Sequence, residues 1–158
     1  ATAEFETNMK GINVYRGRVV ANESLGELEW CDLHVKGYAR EVGATDKNNG
    51  AINTDIVRTF IENQGEDVTK YPAFNACLNK GEEWYLPAIN EIKYIVSQLI
   101  ILNPNIVKDG GEWIDDGIVY GSSTERGRDT EYSVKDYHRT TGTDAKDNAA
   151  IVRAVRAY

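Results

Sequence analysis

The segment EWYLPAINEI, residues 83–92, sets two aromatic residues and a proline directly before a strongly apolar repeat. After Pro87, isoleucine, valine and leucine recur every three or four residues as far as Ile100, as they do along one face of a helix. This stripe is too wide for a surface helix to leave exposed, so the helix is predicted to pack on a sheet. Because the residue before a proline avoids the α region, Asn103-Pro104-Asn105 is predicted to end the helix.

Two more helices are predicted upstream of this segment. The apolar positions of residues 54–64 fall on one helical face, Asn53 or Thr54 can cap the start, and Gly65 is placed to stop the helix. A shorter helix is predicted for residues 71–78, closed by Gly81, since proline is tolerated in a first turn.

Extended segments flank the helices on both sides. Alternating or β-rich residues predict strands at residues 11–15, 18–20, 28–35, 118–120, 132–134 and 150–158. Runs of turn-forming residues predict loops at residues 43–50, 126–130 and 140–148. Strands, then helices, then strands again indicate an α+β fold rather than a parallel α/β sheet.

Length and charge limit the function classes. The 158 residues are predicted to form one domain, with residues 1–9 as a linker or remnant. A compact domain of this length buries roughly 70% of the surface that its unfolded chain exposes. One hydrophobic core can therefore stabilise it without disulfides or bound metal ions. The net charge of −7 opposes nucleic-acid binding, and no apolar run approaches the length of a membrane helix. Cys31 and Cys77 fit either one disulfide or two buried thiols, and both alternatives stay open.

Four ordered motifs between residues 43 and 158 resemble a bacterial domain family found at the C-termini of collagen-like adhesins. That family is related to C-type lectins and to formylglycine-generating enzymes. The matching segments are residues 43–54, residues 83–92 for the family's WYLPS-NEL signature, residues 120–125 for YWSSTE and residues 152–158 for VRPVRAF.

The resemblance implies a C-type-lectin-like α+β fold. Its antiparallel sheets would include paired first and last strands, with two main helices beneath and long C-terminal loops as the exposed face. Ala88 replaces the family's serine, so Glu91 can bond back only to the Ala88 backbone, and a stabilisation of about 1 kcal/mol is missing. Gly121 replaces a tryptophan and is expected to open space beside the ligand face.

Several motif residues are predicted to be structural rather than functional. Aromatic residues beside an apolar helix are usually core, serine hydroxyls often bind backbone groups, and a buried guanidinium needs partners. The residues assigned this role are Trp84, Pro87, Glu91, Ser122, Ser123, Arg153 and Arg156.

The richest polar and aromatic cluster lies in the C-terminal third. Tyrosine, tryptophan and arginine supply rigid contact area and forked donors at low entropic cost, which binding surfaces favour. The predicted ligand-binding residues are Trp113, Arg126, Arg128, Asp129, Tyr132, Tyr137, His138 and Arg139. An ordinary polar loop with scattered aromatic residues is the alternative.

No cofactor is predicted. The spacing of Cys31, His34, Cys77 and His138 matches neither a zinc finger nor a zinc ribbon, and the loop that starts at Asp46 fails the ligand positions of an EF-hand. Asp115 and Asp116 are the weak candidates for calcium, although paired acidic residues are usually just solvated.

The resemblance and the cluster together predict a non-catalytic binding module, secreted or displayed on a bacterial surface or pilus. It would recognise a glycan or a host or neighbouring protein through the loops of residues 108–148. The alternatives are an assembly domain that docks a neighbouring subunit, marked by an exposed apolar patch, and an enzyme of the oxidase-related branch, which needs a reactive cysteine pair.

Overall fold

The computed structural model describes residues 12–15, 17–32, 41–135 and 140–157. The helices are α1 (Gly50–Gln64), α2 (Pro72–Lys80), α3 (Ile89–Ser97) and α4 (Leu99–Lys108), with a short 3₁₀ turn at Val68–Lys70. The strands are β1 (Ile12–Tyr15), β2 (Arg18–Ala21), β3 (Glu27–Leu28), β4 (Trp84–Tyr85), β5 (Tyr120–Glu125), β6 (Thr130–Lys135), β7 (Thr140–Ala145), β8 (Ala150–Ile151) and β9 (Val155–Ala157). The fold is α+β, as predicted.

The described strands form two sheets. One sheet has the order β1-β2-β9-β4, and the other has the order β3-β8-β5-β6-β7. All the pairs are antiparallel except β5 with β8, which run parallel, so the expectation of purely antiparallel sheets is wrong. The predicted terminal strand at residues 150–158 is divided into β8 and β9, which lie in different sheets.

Two apolar clusters fill the space between the sheets and the helices. The first surrounds Trp30, whose ring centroid lies 4.9 Å from that of Phe74 in an edge-to-face contact. The second follows α3 and α4 through Ile92, Leu102 and Ile106. None of the helices in the described part of the chain is long and apolar enough to cross a bilayer.

Helix α1 begins four residues earlier than predicted. Asn49 caps it, because its side-chain oxygen accepts hydrogen bonds from the backbone N–H groups of Ala51 and Ile52. The predicted caps, Asn53 and Thr54, instead lie buried on the inner face of the helix. Gly65 ends α1 as predicted, in the left-handed conformation with φ of 62°.

The predicted long helix after Pro87 is divided at Gln98, and its second half does not end at Pro104. At the division, the Ser97 hydroxyl donates to the Tyr94 carbonyl over 2.6 Å, a bond that competes with helix continuation. Pro104 is tolerated on the exposed side of α4. The turn before it is held because the Asn103 amide bonds both the N–H and the carbonyl of Ile114, over 2.8 and 2.9 Å.

The expectation of two main helices is wrong, and the expected long C-terminal loops are found at residues 109–119 but not at residues 140–148. Four helices are present in the described residues, and the predicted loop at residues 140–148 is mostly strand β7. β7 contains three threonines, which suit strands, and all six of its residues pair with β6. The predicted strand at residues 28–35 is reduced to β3 among the described positions, and residues 33–35 lie outside the described residues.

Gly50 is where α1 packs against the chain after Trp84-Tyr85. A Cβ added there would lie 2.7 Å from the Ala88 nitrogen and 2.8 Å from the Pro87 Cα, and still closer to the Leu86 carbonyl oxygen. These neighbours are backbone atoms that cannot rotate away.

We therefore expect Gly50→Ala to lower the free energy of unfolding by about 1–3 kcal/mol, the usual cost of overpacking, although alanine is the better helix former. Urea denaturation of Gly50→Ala and of the control Gly127→Ala, whose Cβ would meet only Thr130 Oγ1 at 3.6 Å, measures the difference. Equal stability of Gly50→Ala and the wild type would contradict the packing described.

Candidate functional site

Glu125, at the end of β5, is the centre of a buried polar network. Its carboxylate accepts hydrogen bonds from the backbone N–H groups of Val42 at 2.8 Å and Gly43 at 2.9 Å. Lys146 Nζ donates to the same carboxylate over 2.6 Å, and the two side chains are only 2% and 1% exposed. The ammonium group also lies 4.2 Å from the ring centroid of Trp30. The pair therefore joins the end of β5, the segment after β7 and the first apolar core.

The hydroxyl groups of β5 bind backbone and amide groups around this pair. Thr124 Oγ1 donates to the Asp46 carbonyl over 2.9 Å and accepts from the Ile89 N–H at 3.0 Å. The Asn53 amide donates to Ser123 Oγ at 3.0 Å, and Ser122 Oγ donates to the Tyr132 carbonyl at 2.6 Å. These contacts connect the 43–54 segment, the start of α3 and β5, so three of the four motif segments meet at one place in the fold.

Glu91 makes a second junction, at the start of α3. Its carboxylate accepts from the Ala88 N–H at 2.8 Å, from the Gly50 N–H at 2.9 Å and from the Tyr85 hydroxyl at 3.0 Å. Arg18 Nε donates to it over 3.1 Å. Burial and the neighbouring Glu91 carboxylate raise the pKa of Tyr85, so the phenol stays protonated and acts as a donor. With all four donors engaged, this carboxylate holds structure and has little capacity for a ligand.

The other motif residues assigned a structural role lie in the same core. Trp84 is buried, with the guanidinium of Arg156 5.5 Å from its ring centroid, and the Pro87 carbonyl accepts from the Ser123 N–H at 2.8 Å. Arg153 donates to the carbonyls of Ala21 at 2.9 Å and Glu112 at 3.1 Å.

The structure divides the predicted ligand-binding residues between two places. Arg126, Arg128 and Asp129 are exposed together in the turn after β5. Trp113 belongs to the segment at the other end of that strand, where the Tyr120 hydroxyl donates to the Asp115 carbonyl. At the usual rise of a strand, these ends are roughly 17 Å apart.

The remaining members of the predicted set do not bring the two places together. Tyr132 is half-buried, and Lys47 Nζ lies 5.1 Å from its ring centroid. Tyr137, His138 and Arg139 lie outside the described residues. Gly121 is buried in β5 beside a void of about 10 Å³ within the second apolar cluster, so the space expected at the ligand face is absent there.

Neither the cysteine pair nor the Asp115-Asp116 pair is joined by further reactive or metal-binding side chains among the described residues. Cys31 and Cys77 are buried thiols in the core that form no disulfide, and burial raises the pKa of each to about 12, so they stay protonated at neutral pH. Asp115 Oδ1 accepts from the Gly117 N–H at 2.9 Å, a bond within its own turn. Across the described ranges, no three His, Cys, Asp or Glu side chains converge as metal ligands.

An exposed apolar surface that the sequence pattern did not predict covers α4. We call it the α4 face, and it consists of Ile100, Ile101, Pro104 and Val107. Ile100 is 91% exposed and Trp113 is 63% exposed. Trp113 is exposed in the segment after α4, which is tied to the buried side of the helix because the Gly111 N–H donates to the Ile106 carbonyl and Ile114 bonds Asn103.

The repeat after Pro87 places Ile100 in the buried stripe, and this prediction is wrong. Leu99, Leu102 and Ile106 continue the buried stripe of α3 through Gln98, whereas Ile100 lies at the edge of this stripe and faces solvent. The α4 segment also contains no acidic residue and one lysine, in a chain with 25 acidic residues.

Removing the ammonium group from the buried pair should be costly. Lys146→Met keeps a long apolar side chain but leaves the Glu125 carboxylate buried without its counter-charge, and we expect a loss of about 3 kcal/mol in the free energy of unfolding. Arg58→Met, which breaks the exposed pair of Arg58 with Asp55, is the control and should cost less than about 1 kcal/mol. Denaturant titrations that find the two variants equally stable would refute the role given to the pair.

Glu131 gives a prediction about pH, because burial and the nearby Asp144 carboxylate raise its pKa well above the usual value of 4.5. A raised pKa in the folded state means that its contribution to stability is fully present below pH 4.5 and is lost as the pH rises. Glu131→Gln should therefore be more stable than the wild type at neutral pH, by about 1 kcal/mol or more, with no advantage below about pH 4.5. The exposed Glu62→Gln serves as control in the same pH series of unfolding curves. A Glu131→Gln advantage independent of pH would show that Glu131 is not the titrating group.

Comparisons with known proteins give a structural likeness and no sequence family. No protein-family model matches the chain, and no curated protein matches it. Among solved structures, the chain is similar to a fimbrial protein from Bacteroides ovatus ATCC 8483, with a TM-score of 0.71 and 17% sequence identity. The alignment covers 91% of this chain and 36% of that protein, so the chain spans about a third of its length. The two proteins share a fold over nearly all of this chain.

Proposed function

We propose that this chain is a non-enzymatic module of a bacterial surface appendage and that it contacts a neighbouring subunit through the α4 face. The fold shared with a fimbrial protein supports the assignment to a surface appendage. The exposed apolar face supports the contact, since soluble domains seldom leave several large apolar side chains together in water without a partner. Membership of the adhesin-related, C-type-lectin-like family is part of the same proposal and rests on the four motifs.

The non-enzymatic assignment is supported by the chemistry of the buried groups. The oxidase-related alternative needs a thiolate that solvent can reach, whereas Cys31 and Cys77 are buried thiols with raised pKa values. The Glu125 carboxylate is saturated by two backbone N–H groups and Lys146, and it is closed off from solvent. These groups hold the fold together and do not face a substrate.

The proposed partner at the α4 face is a second copy of the chain. Two copies with a net charge of −7 repel each other, and the repulsion is smallest where no acidic residue lies in the contact. The α4 segment meets that condition, and its exposed isoleucine, proline and valine side chains supply the apolar core of an interface.

Ligand recognition by the 108–148 region is the second candidate, and the exposed Trp113 indole favours it. An indole presents a flat apolar surface to a sugar or a protein. Loss of glycan-array binding in Trp113→Ala, with self-association unchanged, would select this candidate over the subunit contact.

The subunit contact predicts concentration-dependent self-association. In sedimentation velocity, the wild type should exceed its monomer mass of 17.7 kDa as concentration rises. Ile100→Glu/Val107→Glu should associate at least about tenfold more weakly, because two carboxylates would be buried in the contact.

Ile52→Glu is the matched control, since Ile52 is 46% exposed on α1, away from the α4 face. It should associate like the wild type, and circular dichroism checks that all variants are folded. A wild type that remains monomeric at every concentration, or an equal effect of Ile52→Glu, would overturn the copy-to-copy contact.

A further inference from the structure

A recess of about 350 Å³ opens between β2, β9 and the first turns of α3. Among the predicted ligand-binding residues that the structure describes, none lines it. Its volume lies at the small end of the range for ligand pockets, which suits one sugar ring better than an extended chain.

The floor of this recess is apolar and belongs to the second core cluster. Val20, Ile95 and Val155 form it, and the Tyr94 side chain adds an aromatic wall. Because the core packs these floor residues from behind, the recess has a fixed shape.

The rim carries two asparagine side chains that face each other. The Asn90 amide nitrogen donates to Asn48 Oδ1 over 2.7 Å, and the Asn90 backbone N–H donates to the Lys47 carbonyl at 2.9 Å. This arrangement leaves the Asn48 amide nitrogen and Asn90 Oδ1 without another partner among the described residues. One donor group and one acceptor therefore remain side by side at the opening.

The charged groups of the recess compensate each other. Arg18 Nε donates to Glu91 over 3.1 Å, so the guanidinium and carboxylate form a pair within the wall. Glu91 is saturated by its other donors, whereas the forked guanidinium retains N–H groups for a ligand oxygen. Because the positive charge of Arg18 is already paired with Glu91 and the chain has a net charge of −7, an anionic ligand is disfavoured.

We propose that this recess binds one neutral monosaccharide unit of a glycan. A pyranose ring has an apolar C–H face that fits the floor of Val20, Ile95 and Val155. Each ring hydroxyl both donates and accepts hydrogen bonds, which matches the Asn48 amide nitrogen and Asn90 Oδ1 as a pair. The site uses no residue of the α4 face, so it does not depend on the subunit contact.

The test is a titration of the isotope-labelled chain with the methyl glycosides of glucose, galactose, mannose and N-acetylglucosamine, followed by backbone amide shifts. N-acetylneuraminic acid and galacturonic acid are the charged comparison ligands. At least one neutral glycoside should give saturable shifts at Arg18, Asn48, Asn90 and Ile95, with a Kd in the millimolar range.

Asn48→Ala and Asn90→Ala should each weaken this binding by roughly tenfold, the effect of losing one hydrogen bond. Asn79→Ala, at an exposed asparagine on α2, should leave it unchanged. The proposal is overturned if no neutral glycoside gives saturable shifts, if only the acidic sugars bind, if the shifts lie away from the recess, or if Asn79→Ala weakens binding as much as the rim variants do.

Discussion

The contact between the Glu125 carboxylate and the Lys146 ammonium group, almost closed off from water, is the constraint around which this fold is arranged. Removing two charges from water costs several kcal/mol per ion, and their attraction offsets this only when every remaining hydrogen-bonding position is filled. Val42, Gly43 and the ring of Trp30 fill those positions here. The segment before α1, strand β5, the segment after β7 and the first core are therefore held in one arrangement.

Most polar side chains of the motif segments are used within the fold. Ser122, Ser123 and Thr124 use their hydroxyls on backbone and amide partners, and Glu91 is saturated by four donors. Of the two surfaces proposed for function, the α4 face uses none of these residues, whereas the recess beside α3 has the Glu91–Arg18 pair in its wall.

Local rules in the sequence predicted much of the secondary structure but little of the candidate surfaces. Gly65 and Gly81 end helices where turn chemistry requires it, and the apolar repeat correctly places α3 on a sheet. The division at Gln98 coincides with a hydrogen bond from the Ser97 hydroxyl to the Tyr94 carbonyl, and Ile100, which the repeat places in the buried stripe, is exposed. The ion pair and the recess bring together residues that are far apart in the chain, such as Val42 with Glu125 and Asn48 with Asn90. Periodic patterns in the sequence contain no information on such contacts.

The most direct test of this account is native-state hydrogen exchange at the amides of Val42 and Gly43, whose hydrogens are donated to Glu125. If the buried ion pair holds this segment, these amides exchange only when the whole domain unfolds, and their exchange free energy equals the free energy of global unfolding. Exchange of these two amides through local opening, with a free energy well below that of global unfolding, would contradict the account.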